Sequence, residues 1–173
     1  MSSLRFAHVP NRKNVSTLLE TLSAKGLHLA IAESLTGGLL TSTLVDIPGS
    51  SRVLLGSIVA YQTKLKHELL GVSKNLLERV GPVDSQVAIQ MAVGIRESMA
   101  GKCSIDPAKV LGVATTGVAG PDDQDGHAAG TAFVAISAAD GDFVYPLNLT
   151  GNRAEVRAGV VAAAIQALWE HFG

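Results

Sequence analysis

The sequence predicts an α/β fold: a mixed, mostly parallel sheet with helices on both faces, closed by a C-terminal antiparallel hairpin. Three observations carry this. Apolar runs alternate with helix-period stretches for the first three strands. Asp140-Gly141 between two further strand-like runs marks a hairpin. Finally, Asn152 followed by Glu155 opens a long final helix as a capping box.

The elements follow in order. Residues 1–13 read as an N-terminal arm and 14–173 as a single domain, a length that supports a core of its own. Asn14 is placed to cap a first helix whose Val15, Leu18, Leu19 and Leu22 share one face, with Gly26 just past its end. His28 to Ala32 is the first strand. Glu33-Ser34-Leu35-Thr36-Gly37-Gly38 then leads into a helix of small and aliphatic residues up to Val45. Val53 to Tyr61 is apolar almost throughout, which predicts an interior strand covered on both faces. Thr63 to Leu70 reads as a short helix burying Leu65, Leu69 and Leu70, and a further short helix follows Ser73. Asp84 or Ser85 starts a long helix to about Ala100, striped by Val87, Met91 and Ile95. Lys109 to Thr115, Thr131 to Ala138 and Asp142 to Leu149 are the remaining strands, and the last helix runs to about His171.

Composition narrows the function. Lys and Arg number 14 against 15 Asp and Glu, a net charge of -1, so no basic face for duplex nucleic acid is expected. The single cysteine, Cys103, rules out an intrachain disulfide framework and a multi-cysteine metal site, and a reducing, cytoplasmic setting is expected. No apolar run reaches bilayer length and no signal-peptide pattern is evident, so no membrane partner is expected. The acidic cluster Asp122, Asp123 and Asp125 lacks the register of a calcium loop. No glycine-rich phosphate motif is present. No metal and no cofactor is therefore expected.

In open α/β sheets ligands sit beyond the carboxyl ends of the strands. Three such ends bring polar residues to one rim. The first carries Glu33, Ser34, Thr36, Gly37 and Gly38, suited to present a hydroxyl and backbone donors, and suited equally to capping the next helix. The second carries Tyr61, with Lys64 and Lys66 within the next turn and a half. The third carries Thr116 and Gly117, whose hydroxyl and backbone can donate to a developing negative charge. A serine needs a base, and none of the five histidines lies in a suitable motif. A lysine serves if burial lowers its pKa from about 10.4. Lys66, five residues beyond Tyr61, is the better placed. Arg153 and Arg157, one turn apart near a helix N-terminus, suit a carboxylate or phosphate, and suit a solvated surface as well.

Taken together, four separated motifs resemble the CinA C-terminal domain family: Ala32-Glu33-Ser34-Leu35-Thr36-Gly37-Gly38; Val59-Ala60-Tyr61 with Lys66 and Leu69-Leu70-Gly71-Val72; Thr116-Gly117-Val118-Ala119-Gly120-Pro121; and Gly151-Asn152-Arg153. The resemblance covers residues 14–172. It implies a three-layer α/β/α sandwich and a homo-oligomer. It also implies an amidohydrolase of the pyridine nucleotide cycle that converts nicotinamide mononucleotide to nicotinate mononucleotide and ammonia, with a small-molecule pyridine nucleotide as its partner. By motif it implies Ser34 as nucleophile, Lys66 as base and Tyr61 as its assistant, Thr116 as a pocket threonine, and Arg153 as a residue that holds substrate or orients the site. The loop Asp122 to His127 is more acidic than the family's glycine-rich one. That difference motivates an alternative: a catalytically weak nucleotide-binding or regulatory domain of the same fold.

Overall fold

The structure, a computed structural model, describes residues 11–173. Its elements are α1 (Arg12–Ala24), β1 (His28–Glu33), α2 (Leu39–Val45), β2 (Leu54–Val59), α3 (Thr63–Leu70), α4 (Lys74–Val80), α5 (Ser85–Cys103), β3 (Val110–Gly117), β4 (Thr131–Ala138), β5 (Gly141–Asn148) and α6 (Arg153–Phe172). The sheet order is β2-β1-β3-β4-β5. β1 pairs in parallel with both β2 and β3, while β3–β4 and β4–β5 are antiparallel. Four strands therefore run one way and β4 alone opposes them.

The two faces of β1 show why the layers differ. Leu29 and Ile31 point into an aliphatic core shared with α1, α2 and α6. Ala30 and Ala32 point the other way, against α3, α4 and α5. Side chains alternate along a strand, so one strand serves both layers. Each large aliphatic side chain buried in these cores contributes about 1.5–3 kcal/mol. The alanine face lets α5 lie close to the sheet. Gly94 of α5 does the same toward α3: a Cβ there would stand 1.8 Å from the Leu70 carbonyl oxygen. That close contact sets the height of α3 beside the strand ends.

The chain leaves β1 through α2 to reach β2 on one side, then crosses by α3, α4 and α5 to β3 on the other. β1 is thus the topological switch point, where ligands of such sheets bind. The capping box at α6 forms: the Asn152 side chain accepts from Ala154 and Glu155 N–H, and Glu155 accepts from Asn152 N–H.

Three expectations are corrected. The cap of α1 is Asn11, whose Oδ1 accepts from Lys13 N–H at 3.0 Å, so Asn14 lies inside the first turn. The rest of the expected arm, residues 1–10, lies outside the described residues. β2 is an edge strand, partly exposed along its length rather than interior. A continuous apolar run does not distinguish the two, because it reports residue type and not the number of neighbouring strands. In α3, Leu69 is exposed, and Lys66 with Leu70 faces inward. The helix is turned this way because the lysine amine finds acceptors inside.

Candidate active site

Register brings the strand ends together. Glu33 at the end of β1 lies opposite Val59 of β2 and Thr115 of β3. The next residues stay paired: Ala60 N–H donates to Glu33 O, and Ser34 N–H donates to Thr115 O, both at 2.9 Å. Ser34, Ala60 and Thr116 therefore emerge side by side. The turn into α2 needs left-handed backbone at Gly37 (φ 58°) and Gly38 (φ 94°), conformations that glycine adopts without steric cost.

Lys66 reaches back from α3 to this point. Its Nζ lies 2.9 Å from Ser34 Oγ and 2.9 Å from the Ala60 carbonyl oxygen. The side chain is only 1% exposed. Both partners are neutral oxygens, so the ammonium loses water without gaining an opposite charge. Burial accordingly lowers its pKa from 10.5 to about 8. Protonated, the amine donates to both oxygens. Neutral, it offers a lone pair to the Ser34 hydroxyl.

A cleft of about 80 Å³ opens onto this pair. By the same measure one water needs about 10–15 Å³, so the cleft has room for several waters or one ring-sized group. Tyr61, Thr63, Thr116, Gly117 and Arg153 line it with Ser34 and Lys66. Tyr61 is half exposed, and its hydroxyl accepts from Arg153 Nη2 at 2.9 Å. Arg153 Nη1 also donates to the Gly120 carbonyl at 2.8 Å. Tyr61 thus meets Arg153 and not Lys66 directly. Thr116 sits at the wall, its hydroxyl donating to the Pro82 carbonyl at 2.7 Å.

Other sequence candidates face elsewhere. Glu33 is fully buried, and its carboxylate accepts from the N–H groups of Gly38, Leu40 and Thr41 and from the Thr41 hydroxyl. A carboxylate spent on the start of α2 offers nothing to an oxyanion. Thr36 is buried against Thr115, hydroxyl to hydroxyl at 2.7 Å. Gly37 and Gly38 shape the turn without lining the cleft. Sequence reasoning missed Pro82, Val83 and Gln124, which line the cleft, and the Ala60 carbonyl. Gly81-Pro82 is a local break signal, but nothing in the neighbouring sequence indicates which strand end it covers. Among the described residues, no group of His, Cys, Asp and Glu is placed to hold a metal ion, and no helix is long and apolar enough to cross a membrane.

Comparison with known proteins bears on the family and the fold. The model of the CinA C-terminal domain matches residues 11–172. A "Putative competence-damage inducible protein" of Desulforamulus reducens is 40% identical over 147 residues, covering 85% of this chain and 34% of that protein. A "CinA-like protein" of Frankia casuarinae is 38% identical over 148 residues, covering 86% of this chain and 32% of that one. The chain thus spans about a third of the length of these curated relatives. A CinA superfamily protein from Klebsiella pneumoniae superposes with a TM-score of 0.84 at 26% identity, covering 94% of this chain and 98% of that one. The competence/damage inducible protein CihA from Agrobacterium tumefaciens gives 0.83 at 28% identity, covering 95% and 98%.

Proposed function

Since the chain belongs to the CinA C-terminal domain family, we propose that it is an amidohydrolase acting on the carboxamide of nicotinamide mononucleotide. The observation that carries this reading is the 2.9 Å contact between Ser34 Oγ and a buried lysine amine at the switch point of the sheet. A serine–lysine pair is one of the known solutions to activating a hydroxyl.

In this mechanism the neutral Lys66 amine takes the Ser34 hydroxyl proton as Oγ bonds to the amide carbon. The carbonyl π pair moves to oxygen. Collapse of that oxyanion breaks the C–N bond, and the leaving nitrogen takes the proton from Lys66 and departs as ammonia. Water then attacks the ester, its proton passing through the same amine, and Ser34 is regenerated with a free carboxylate. Arg153 and Tyr61 hold the outer wall, where the guanidinium also suits the phosphate of the nucleotide.

The test is ammonia release from nicotinamide mononucleotide, nicotinamide riboside and the dinucleotide, by wild type, Ser34→Ala and Lys66→Met. Release only by wild type, and fastest from the mononucleotide, is expected. Gln124, which carries the acidic loop to the cleft, favours a second reading: a nucleotide-binding domain with little turnover. Tight nucleotide binding with ammonia at background would establish it.

A further inference from the structure

The backbone N–H groups from Ser34 to Thr41 can be followed to their acceptors through the turn. Ser34 donates to Thr115 O, Gly37 to Ser34 O and Leu39 to Thr36 O. Gly38, Leu40 and Thr41 donate to the Glu33 carboxylate. The N–H groups of Leu35 and Thr36 have no acceptor among the described residues. Both residues are buried, and Leu35 lines the cleft beside Ser34. Buried backbone donors without a partner are rare. The residue after a nucleophilic serine is a position from which an N–H stabilises an oxyanion.

Arg157, on the first turns of α6, grips the same turn from behind. Its Nε donates to the Leu35 carbonyl at 3.1 Å and its Nη2 to the Thr36 carbonyl at 2.6 Å. It does not line the cleft. In a trans peptide the C=O and the following N–H point in opposite directions. Holding the Leu35 carbonyl therefore turns the Thr36 N–H away from the guanidinium. Holding the Thr36 carbonyl turns the Gly37 N–H, which bonds the Ser34 carbonyl at 3.1 Å. The Ser34 carbonyl in turn shares its peptide plane with the Leu35 N–H. One side chain thereby fixes three successive peptide planes directly after Ser34.

We infer that Arg157 is a positioning residue, locking the peptide groups after Ser34 so that the Leu35 N–H receives the oxyanion formed there. This rests on Ser34 being the nucleophile, as proposed above, but not on the identity of the substrate. A forked guanidinium suits two consecutive carbonyls, and a lysine offers a point charge without the fork.

An activated ester separates the two questions. With p-nitrophenyl acetate, Ser34 Oγ bonds to the acetyl carbon, its proton passes to Lys66, and p-nitrophenolate leaves. The acyl group is located on Ser34 by peptide mass spectrometry, with Ser34→Ala as blank. Acylation rates are compared for wild type, Arg157→Lys, Arg157→Met and Arg157→Ala with added guanidinium, with circular dichroism reporting the fold. Arg157→Met and Arg157→Ala are expected to acylate about 10²–10³-fold more slowly. The pH midpoint of acylation stays at the wild-type value. Arg157→Lys is intermediate, and guanidinium restores about tenfold in Arg157→Ala. Rates within about threefold of wild type would overturn the inference. So would a moved pH midpoint, or a loss in folded protein that neither lysine nor guanidinium repairs. If the methionine and alanine variants unfold, Arg157→Lys decides. A wild type that acylates Ser34 yet releases no ammonia from nicotinamide mononucleotide removes only the substrate assignment. One that leaves Ser34 unacylated removes both.

Discussion

Two charged side chains, Glu33 and Lys66, are buried at the same rim of the sheet, and they are treated in opposite ways. Glu33 faces the start of α2 and accepts four hydrogen bonds there, three from backbone N–H groups and one from the Thr41 hydroxyl. A carboxylate at a helix start is also favoured by the helix field. Lys66 faces two neutral oxygens, with no carboxylate among the described residues hydrogen-bonded to its amine. The first arrangement gives the carboxylate oxygens a full set of donors, and the second leaves a buried ammonium costly. A fully satisfied buried charge belongs to the architecture. An incompletely satisfied one, beside a hydroxyl in a cleft, is available for proton transfer.

The sharpest way to break this comparison is to remove each group and ask what is lost. Ser34→Ala or Lys66→Met is expected to lower kcat by about 10³-fold or more, and the double variant by little more than either, because the two act as one unit. Additive losses in ammonia release would contradict that. Glu33→Gln is expected to leave the dyad chemistry intact but to cost about 2–4 kcal/mol in urea unfolding. The amide cannot accept from all four donors, and the helix start is left with unsatisfied N–H groups. A stable Glu33→Gln protein would show that the carboxylate is not the anchor of α2.

Lys66 should make stability depend on pH. Its folded pKa lies near 8 and its unfolded value near 10.5. Between these values the unfolded chain binds the extra proton, so this group makes stability rise with pH through the window. The destabilisation is fully present below pH 8 and relieved above pH 10.5. Relative to Lys66→Met, wild type should gain about 3 kcal/mol across that interval. Parallel stability curves for the two proteins would refute it. The rate of amide hydrolysis should rise through about pH 8 as the amine loses its proton. The smallest effect is expected at the far side of the site. Asn152→Ala removes the capping box of α6 and should cost about 1 kcal/mol, with a modest fall in rate through Arg153 and Arg157.

Most of the architecture was legible because it is written in local patterns. Asp140-Gly141 marked the β4–β5 hairpin, Asn152 with Glu155 the start of α6, Ser73 the start of α4, and Asp84 or Ser85 the start of α5, whose cap is Asp84. The candidate site was half legible. Ser34, Tyr61, Lys66, Thr116 and Arg153 do converge on one cleft. What could not be read were orientations that tertiary contacts decide. Glu33 alternates to the side of α2, Thr36 pairs with Thr115 across the strand ends, and Lys66 displaces Leu69 from the interior. The edge position of β2 was hidden for a similar reason, since residue type does not count neighbouring strands. Arg157 was visible only as a cation one turn from Arg153. Its hold on the Leu35 and Thr36 carbonyls depends on α6 passing behind the turn.

The central claim is that the amine beside Ser34 is held with a depressed affinity for protons. Selective carbon-13 labelling of lysine, with the Cε resonance of residue 66 assigned by its loss in Lys66→Met, titrates that amine directly. A midpoint near 8, well below the other lysines, is the expected result. A midpoint near 10.5, shared with the surface lysines, would contradict it and leave Ser34 without a base.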